Sequence, residues 1–154
     1  MSESKSIQEI KLNEDDTATI KYQLVNQDSN QDVKFEGVEK ITNEFRVTFG
    51  NVRSTIGEII EVFQHKNIKP QKITFDNKKN TVMYSFLYYP EDDLHPAVTI
   101  DTPKLPLLDD KKPSDNKFYV SGLDIEILNA VKKEALKYIN GASRTKQIKL
   151  EVVE

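Results

Sequence analysis

Apolar and polar side chains alternate with a period of two through residues 17–25. Ala18, Ile20, Tyr22 and Leu24 share one face there, and Thr19, Lys21 and Gln23 share the other, as in a half-buried strand. Residues 7–12 read as a shorter first strand, and residues 26–32, which hold no apolar side chain, as a turn or loop. Residues 33–40 and 44–49 read as a hairpin around Thr42-Asn43, with Phe45, Val47 and Phe49 pointing one way and Arg46 and Thr48 the other. A second hairpin is expected from residues 72–75 and 81–89 around the polar turn 76–80. In its second strand Val82, Tyr84, Phe86 and Tyr88 line one face, and Met83, Leu87 and Tyr89 line the other with Ser85. Apolar groups on both faces suggest a strand covered on both sides, at the centre of a sheet.

The period changes to 3.6 in two places. Val52, Ile56, Ile59, Ile60 and Phe63 recur at helical spacing. That helix is expected to start near Ser54 or Thr55, with Thr55 and Glu58 at capping-box spacing, and to end by Asn67 and Pro70. A second helix has Asp124 as its expected N-cap and Leu123 and Leu128 as a hydrophobic staple. Leu128, Val131, Ala135, Tyr138 and Ile139 form its buried stripe, and Asn140-Gly141 closes it with Gly141 in the left-handed C′ position. Between residues 90 and 116 regularity fails: Pro90, Pro96, Pro103, Pro106 and Pro113 sit among acids. Only residues 97–100 there, and 117–120 beyond, read as brief strands. Ile148, Leu150 and Val152 alternate in a final strand. No internal repeat is visible. The expected fold is α+β, a mainly antiparallel sheet of about six to eight strands with two helices packed on it. It forms one domain over residues 1–154, with a long irregular loop at 90–116.

Composition narrows the function classes. The chain has 154 residues and no cysteine, which excludes disulfides, thiolate metal sites and cysteine nucleophiles. No apolar run approaches the ~20 residues of a membrane span. Met1-Ser2-Glu3-Ser4-Lys5 has no apolar stretch behind it, so no secretory signal is expected and a cytoplasmic location is. The net charge of −3 gives no global basic field. Residues 89–116 carry seven acids against three lysines, whereas residues 117–149 carry seven bases against three acids. Lysine outnumbers arginine 19 to 3, a poor supply of the planar fork that sequence-specific DNA reading favours.

Few residues suggest bond-making chemistry. His65 falls in the last turn of the first helix, where a cation complements the helix dipole. His95 lies in Glu91-Asp92-Asp93-Leu94-His95-Pro96, the one cluster of histidine with carboxylates. Asp93 and His95, with Asp101, supply the minimum donor set for a metal-dependent hydrolase. No nucleotide-binding glycine motif and no calcium-loop spacing occur. Ser121-Gly122 precedes a helix, but Asp124 would repel an anion there.

Three stretches of the C-terminal third, Asp101-Thr102-Pro103-Lys104, Glu134-Ala135-Leu136-Lys137-Tyr138-Ile139-Asn140-Gly141 and Arg144 ahead of a short charged tail, carry a family likeness. With them the chain resembles small proteins encoded by phages and prophages of low-GC Gram-positive bacteria. In that group a threonine–proline element precedes a helix ending in Glu-Ala-x-x-Tyr-Ile-x-Gly, often followed by Lys-Arg-x-Gln. Residues 142–147 depart from that by looser spacing. The resemblance implies an accessory intracellular phage role near replication and recombination, and no catalytic residue.

The sequence therefore favours a non-enzymatic accessory protein that binds a protein partner, with no cofactor. The expected contact surface is the loop, through Asp92, Asp93, His95 and Lys104, with the lysine face of the second helix. The alternative is a single-stranded nucleic-acid binder using Lys117, Tyr119, Lys132, Lys133, Lys137 and Arg144, where cations sit near rings such as Tyr84, Tyr88, Tyr89 and Phe118. Strand edges leave room for a partner strand or a homodimer.

Overall fold

The structure is a computed structural model that describes residues 4–25, 30–59, 67–90, 96–107, 120, 122–141 and 150–153. The fold is the expected α+β class. The strands are β1 (Ser4–Leu12), β2 (Ala18–Val25), β3 (Asn30–Glu36), β4 (Ile68–Asp76), β5 (Thr81–Tyr88), β6 (Val98–Asp101), β7 (Leu105–Pro106) and β8 (Leu150–Val153). They form one antiparallel sheet in the order β6-β5-β4-β1-β2-β3-β8, with β7 also paired to β5. The helices are α1 (Asn43–Gly50) and α2 (Val52–Ile59), joined at Asn51, and α3 (Leu123–Gly141). They occupy the connections from β3 to β4 and from β7 to β8.

Both crossovers pack on one face of the sheet. Ile10, Ile20, Phe35, Ile73, Phe75, Val82 and Tyr84 point into that layer and are buried. Phe45 and Phe49 of α1, Val52 and Ile56 of α2, and Leu128, Val131, Ala135 and Ile139 of α3 close on them. A 19-residue helix is about 28 Å long, and the span from one edge of this sheet to the other is about the same at ~4.8 Å per strand. Helix α3 is therefore long enough to carry the chain from the β7 edge to the β8 edge.

Two register shifts set which side chains face the helices. The β1–β2 register shifts between Ile7 and Glu9, and the β4–β5 register between Pro70 and Lys72. An extra residue reverses the alternation of a strand. Ile7 and Ile10, three apart, consequently both reach the core, as do Ile68 and Ile73, five apart. The same shift places Lys69 and Lys72 together on the opposite face, as partners of Leu87 and Ser85.

Tyr138 joins three elements. Its ring meets Phe35 and Phe45 edge-on, at centroid distances of 5.9 and 5.8 Å. Its hydroxyl donates to the Glu39 carbonyl and accepts from the Ala18 N–H. Gly37, at the end of β3, lies directly against this ring, and a Cβ there would collide with it. The second tie between crossovers is a hydrogen bond of 2.6 Å from the Thr55 hydroxyl in α2 to the Asp124 carboxylate in α3.

Several expectations are corrected. Residues 44–49 are helical: Thr42 caps α1 by accepting the Phe45 N–H at 3.1 Å, and Phe45 and Phe49, one helical turn apart, are the buried pair while Val47 faces out. The alternation of three apolar residues fits either period over so short a run. Residues 30–32 belong to β3 rather than to a loop. Helix α2 begins at Val52, so Thr55 is not a cap; its buried hydroxyl holds Asp124 instead. Asp124 lies inside the first turn of α3, and Leu123 is exposed, so no staple forms. Gly141 ends the helix without a left-handed backbone; among the described residues the positive-φ glycine is Gly122. Strand β5 is not central, because β1 holds that place. On its second face Met83 and Leu87 are half-buried and Ser85 is buried.

Within the stretch expected as a long loop, the brief strand expected at 97–100 is β6, and β7 adds a second piece of edge structure. Strands β6 and β7 pair with the two halves of β5, and the break between them falls at Thr102-Pro103-Lys104. Thr102 repairs that break: its N–H donates to the Tyr84 carbonyl (2.8 Å), and its hydroxyl accepts the Tyr84 N–H (3.0 Å). Val120 then bridges Leu107 in parallel. Residues 91–95, 108–119 and 142–149 lie outside the described residues, as does the expected course of the first helix beyond Ile59 up to residue 66.

Two substitutions test this packing. Gly37→Ala drives a methyl into the Tyr138 ring and is expected to destabilise by about 2 kcal/mol in urea unfolding. Thr102→Val keeps shape but leaves the buried Tyr84 N–H without its acceptor, at a cost of about 1–3 kcal/mol.

Candidate binding groove

A hollow lies where α1 and α2 meet the start of β4 and the end of β5. It has a volume of about 540 Å³ and is walled by Leu12, Val47, Phe49, Pro70 and Tyr89, with Arg46, Arg53 and Lys69 at its rim. Such a volume is in the range of ligand sites. The joint at Asn51 shapes one wall. The Asn51 N–H closes α1 on Val47 and Thr48, and its carbonyl accepts from the Ser54 N–H and hydroxyl (3.3 and 3.0 Å). Arg46 of α1 and Arg53 of α2 both line the one hollow. The opposite wall is the start of β4, where the Tyr89 N–H donates to the Asn67 carbonyl at 2.9 Å. Tyr89 is 44% exposed and Val47 56%, so an aromatic and an aliphatic surface stand open beside three cations.

A smaller hollow of about 230 Å³ adjoins it and shares Leu12, Arg46, Lys69 and Pro70. Its floor is the β1–β2 turn. Asp15 accepts both the backbone N–H and the hydroxyl of Thr17, and these bonds hold its carboxyl below the usual range. Asp16 takes a left-handed backbone (φ 66°), which aspartate tolerates, and its carbonyl accepts the Ile41 N–H at 2.8 Å. The Asp16 carboxylate sits 3.7 Å from Arg46, an exposed pair that contributes little to stability. Arg53 and Lys69 have no carboxylate within ion-pairing distance among the described residues.

Of the described residues singled out by sequence, Tyr89 lines the hollow and Lys104, Lys132, Lys133 and Lys137 do not. Asp92, Asp93, His95, Lys117, Tyr119 and Arg144 lie outside the described residues, as does His65. Lys104 is exposed between β6 and β7. The three lysines of α3 do not share one surface. Lys132 folds over the Phe75 ring at 4.4 Å, Lys133 is exposed, and Lys137 pairs with Glu134 at 3.2 Å beside a hollow of about 380 Å³ that mixes both charges. Among the tyrosines, Tyr84 is wholly buried, Tyr88 half-buried and Tyr89 exposed. Among the described residues no group of three or more histidines and carboxylates converges as a metal site would require. The groove cations were missed because residues 44–49 read as a strand. Read as helices, Arg46 and Arg53 are seven apart, and so on one face.

Comparison with known protein families, with curated proteins and with solved structures gives no match.

Burial of Lys132 lowers its pKa from the ordinary 10.5. Between that lowered value and 10.5 the unfolded chain binds more protons, so stability rises with pH. Burial of Tyr22, Tyr84 and Tyr138 raises their hydroxyls, so above pH 10 stability falls instead. Urea unfolding followed as the pH rises towards 10 should therefore show the wild type gaining stability relative to Lys132→Met. Parallel curves would contradict the assignment.

Proposed function

We propose that the chain is a non-enzymatic binding protein that seats an acidic, apolar-bearing segment of a protein partner in the groove. The observation that carries the reading is the wall itself: two of the chain's three arginines, with Lys69, rim a surface made of Val47, Phe49, Pro70 and Tyr89. Cations at the rim steer and select an anionic partner, while the apolar floor supplies the desolvated contact that holds it. An accessory phage role in the cytoplasm is the setting that the C-terminal resemblance implies, and a dedicated binder suits it. The loop residues Asp92, Asp93, His95 and Lys104, with the lysines of α3, remain the proposed source of further partner contacts.

Single-stranded nucleic acid is the second reading, favoured by Tyr89 beside Arg53. Stacking surfaces generally present successive rings, and Tyr89 is the one exposed aromatic among the described residues. The −3 net charge also gives no long-range pull on a polyanion.

Fluorescence anisotropy with a labelled peptide of repeating Asp-Glu-Leu units tests the proposal. Binding should weaken with salt, and Arg53→Glu should reduce affinity about ten-fold, or 1.4 kcal/mol. An unaltered affinity in that variant, or no binding at low salt, removes the groove as the site. Tighter binding of labelled oligothymidylate would replace the peptide with nucleic acid.

A further inference from the structure

Charge on the sheet face opposite the described helices continues from the groove. Lys11 of β1 and Lys72 of β4 are direct cross-strand partners there. Like charges placed opposite one another destabilise a sheet. Elsewhere on this face the same problem is compensated: Lys21 and Lys34 are also partners, but Lys21 pairs with Glu9 at 3.6 Å and Lys34 with Glu36 at 3.2 Å. Neither Lys11 nor Lys72 has a carboxylate within ion-pairing distance among the described residues. The register shift at residue 71 sets Lys69 on this same face, and Lys69 also lines the groove. Cations thus run from Arg53 and Arg46 through Lys69 to Lys72 and Lys11.

We propose that this lysine pair is a second seat for the acidic protein segment, which leaves the groove past Lys69 and crosses onto the sheet face opposite the described helices. The proposal rests on the groove reading and extends it. Charge complementarity selects an anionic occupant. Beside the pair, the described side chains of the neighbouring strand are half-buried Met83 and Leu87, and Tyr89 is a single ring at the strand's end, so carboxylates interspersed with apolar side chains fit this face better than stacked bases. The pair's mutual repulsion is relieved when carboxylates settle between the two ammonium groups.

The test is a trade between stability and affinity. Lys72→Glu converts a repulsive cross-strand pair into an attractive one, so its melting temperature should rise by about 1–3 °C. Its affinity for the Asp-Glu-Leu peptide should fall about five-fold, a loss that a merely structural lysine would not produce. Lys11→Glu makes the same change from the other strand and should behave alike, which keeps the test valid should one variant fold poorly. Lys34→Glu changes net charge equally but lies on β3, away from the groove, and should alter affinity less than about two-fold. Equal weakening by Lys34→Glu would reduce the effect to net charge and overturn the proposal. Unchanged affinity in both Lys72→Glu and Lys11→Glu, with Arg53→Glu still weak, overturns this seat and leaves the groove standing. Unchanged affinity in all of them overturns both. Preferential loss of oligothymidylate binding would assign the face to nucleic acid and overturn the acidic-segment proposal.

Discussion

The faces of this sheet depend on one extra residue in each of two neighbouring strands. Without the shift between Ile7 and Glu9, Ile7 and Ile10 would lie on opposite sides. Without the shift between Pro70 and Lys72, Ile68 and Ile73 would be divided in the same way. A strand with one buried face cannot accept such a division, because half of its apolar side chains would meet water and its charged ones would meet the core. The bulges therefore act at the core and at the surface together: the residue that aims Ile73 inward also aims Lys72 outward beside Lys69. The groove and the opposite sheet face inherit their charge from a feature whose first effect is on packing.

Holding the helices over that core is a separate task. The α1–α2 crossover returns the chain from β3 to β4, and α3 carries it from one edge of the sheet towards the other. Two crossovers on one face must fit against each other as well as against the strands. Tyr138 and the Thr55–Asp124 hydrogen bond provide that fit at two separated points. One reads the backbone of β2 and of the β3 exit; the other joins α2 to the first turn of α3. Arg53 lies two residues before Thr55, so the tie that anchors α2 also fixes the rim of the groove.

The legible parts of the sequence were those where one period ran long enough to be decisive. Residues 17–25 and the 72–75 and 81–89 hairpin show two-fold alternation, and the α3 stripe keeps helical spacing through 12 residues, from Leu128 to Ile139. Residues 44–49 failed because Phe45, Val47 and Phe49 satisfy both periods until the outward turn of Val47 is known. Bulges were illegible for a related reason: Gln8 and Gln71 are unremarkable in a polar strand face, and only pairing reveals them as extra. The basic groove needed both facts at once. Arg46 and Arg53 become neighbours only when their segments are helical, and Lys69 joins them only through β4. Lys132 misled in the opposite sense, since its long stem lets it leave the solvent and cover Phe75.

The interrupted edge at Thr102-Pro103 also governs how these molecules behave toward one another in concentrated solution. An unbroken flank of hydrogen-bonding groups invites a neighbour to zip on and extend the array without limit. Here the run is cut into pieces of four and two residues, and a side chain supplies the missing acceptor inward. Proline adds no donor on the outside. This flank of the sheet is consequently too short and too irregular to template stacking, and the groove opens elsewhere on the molecule.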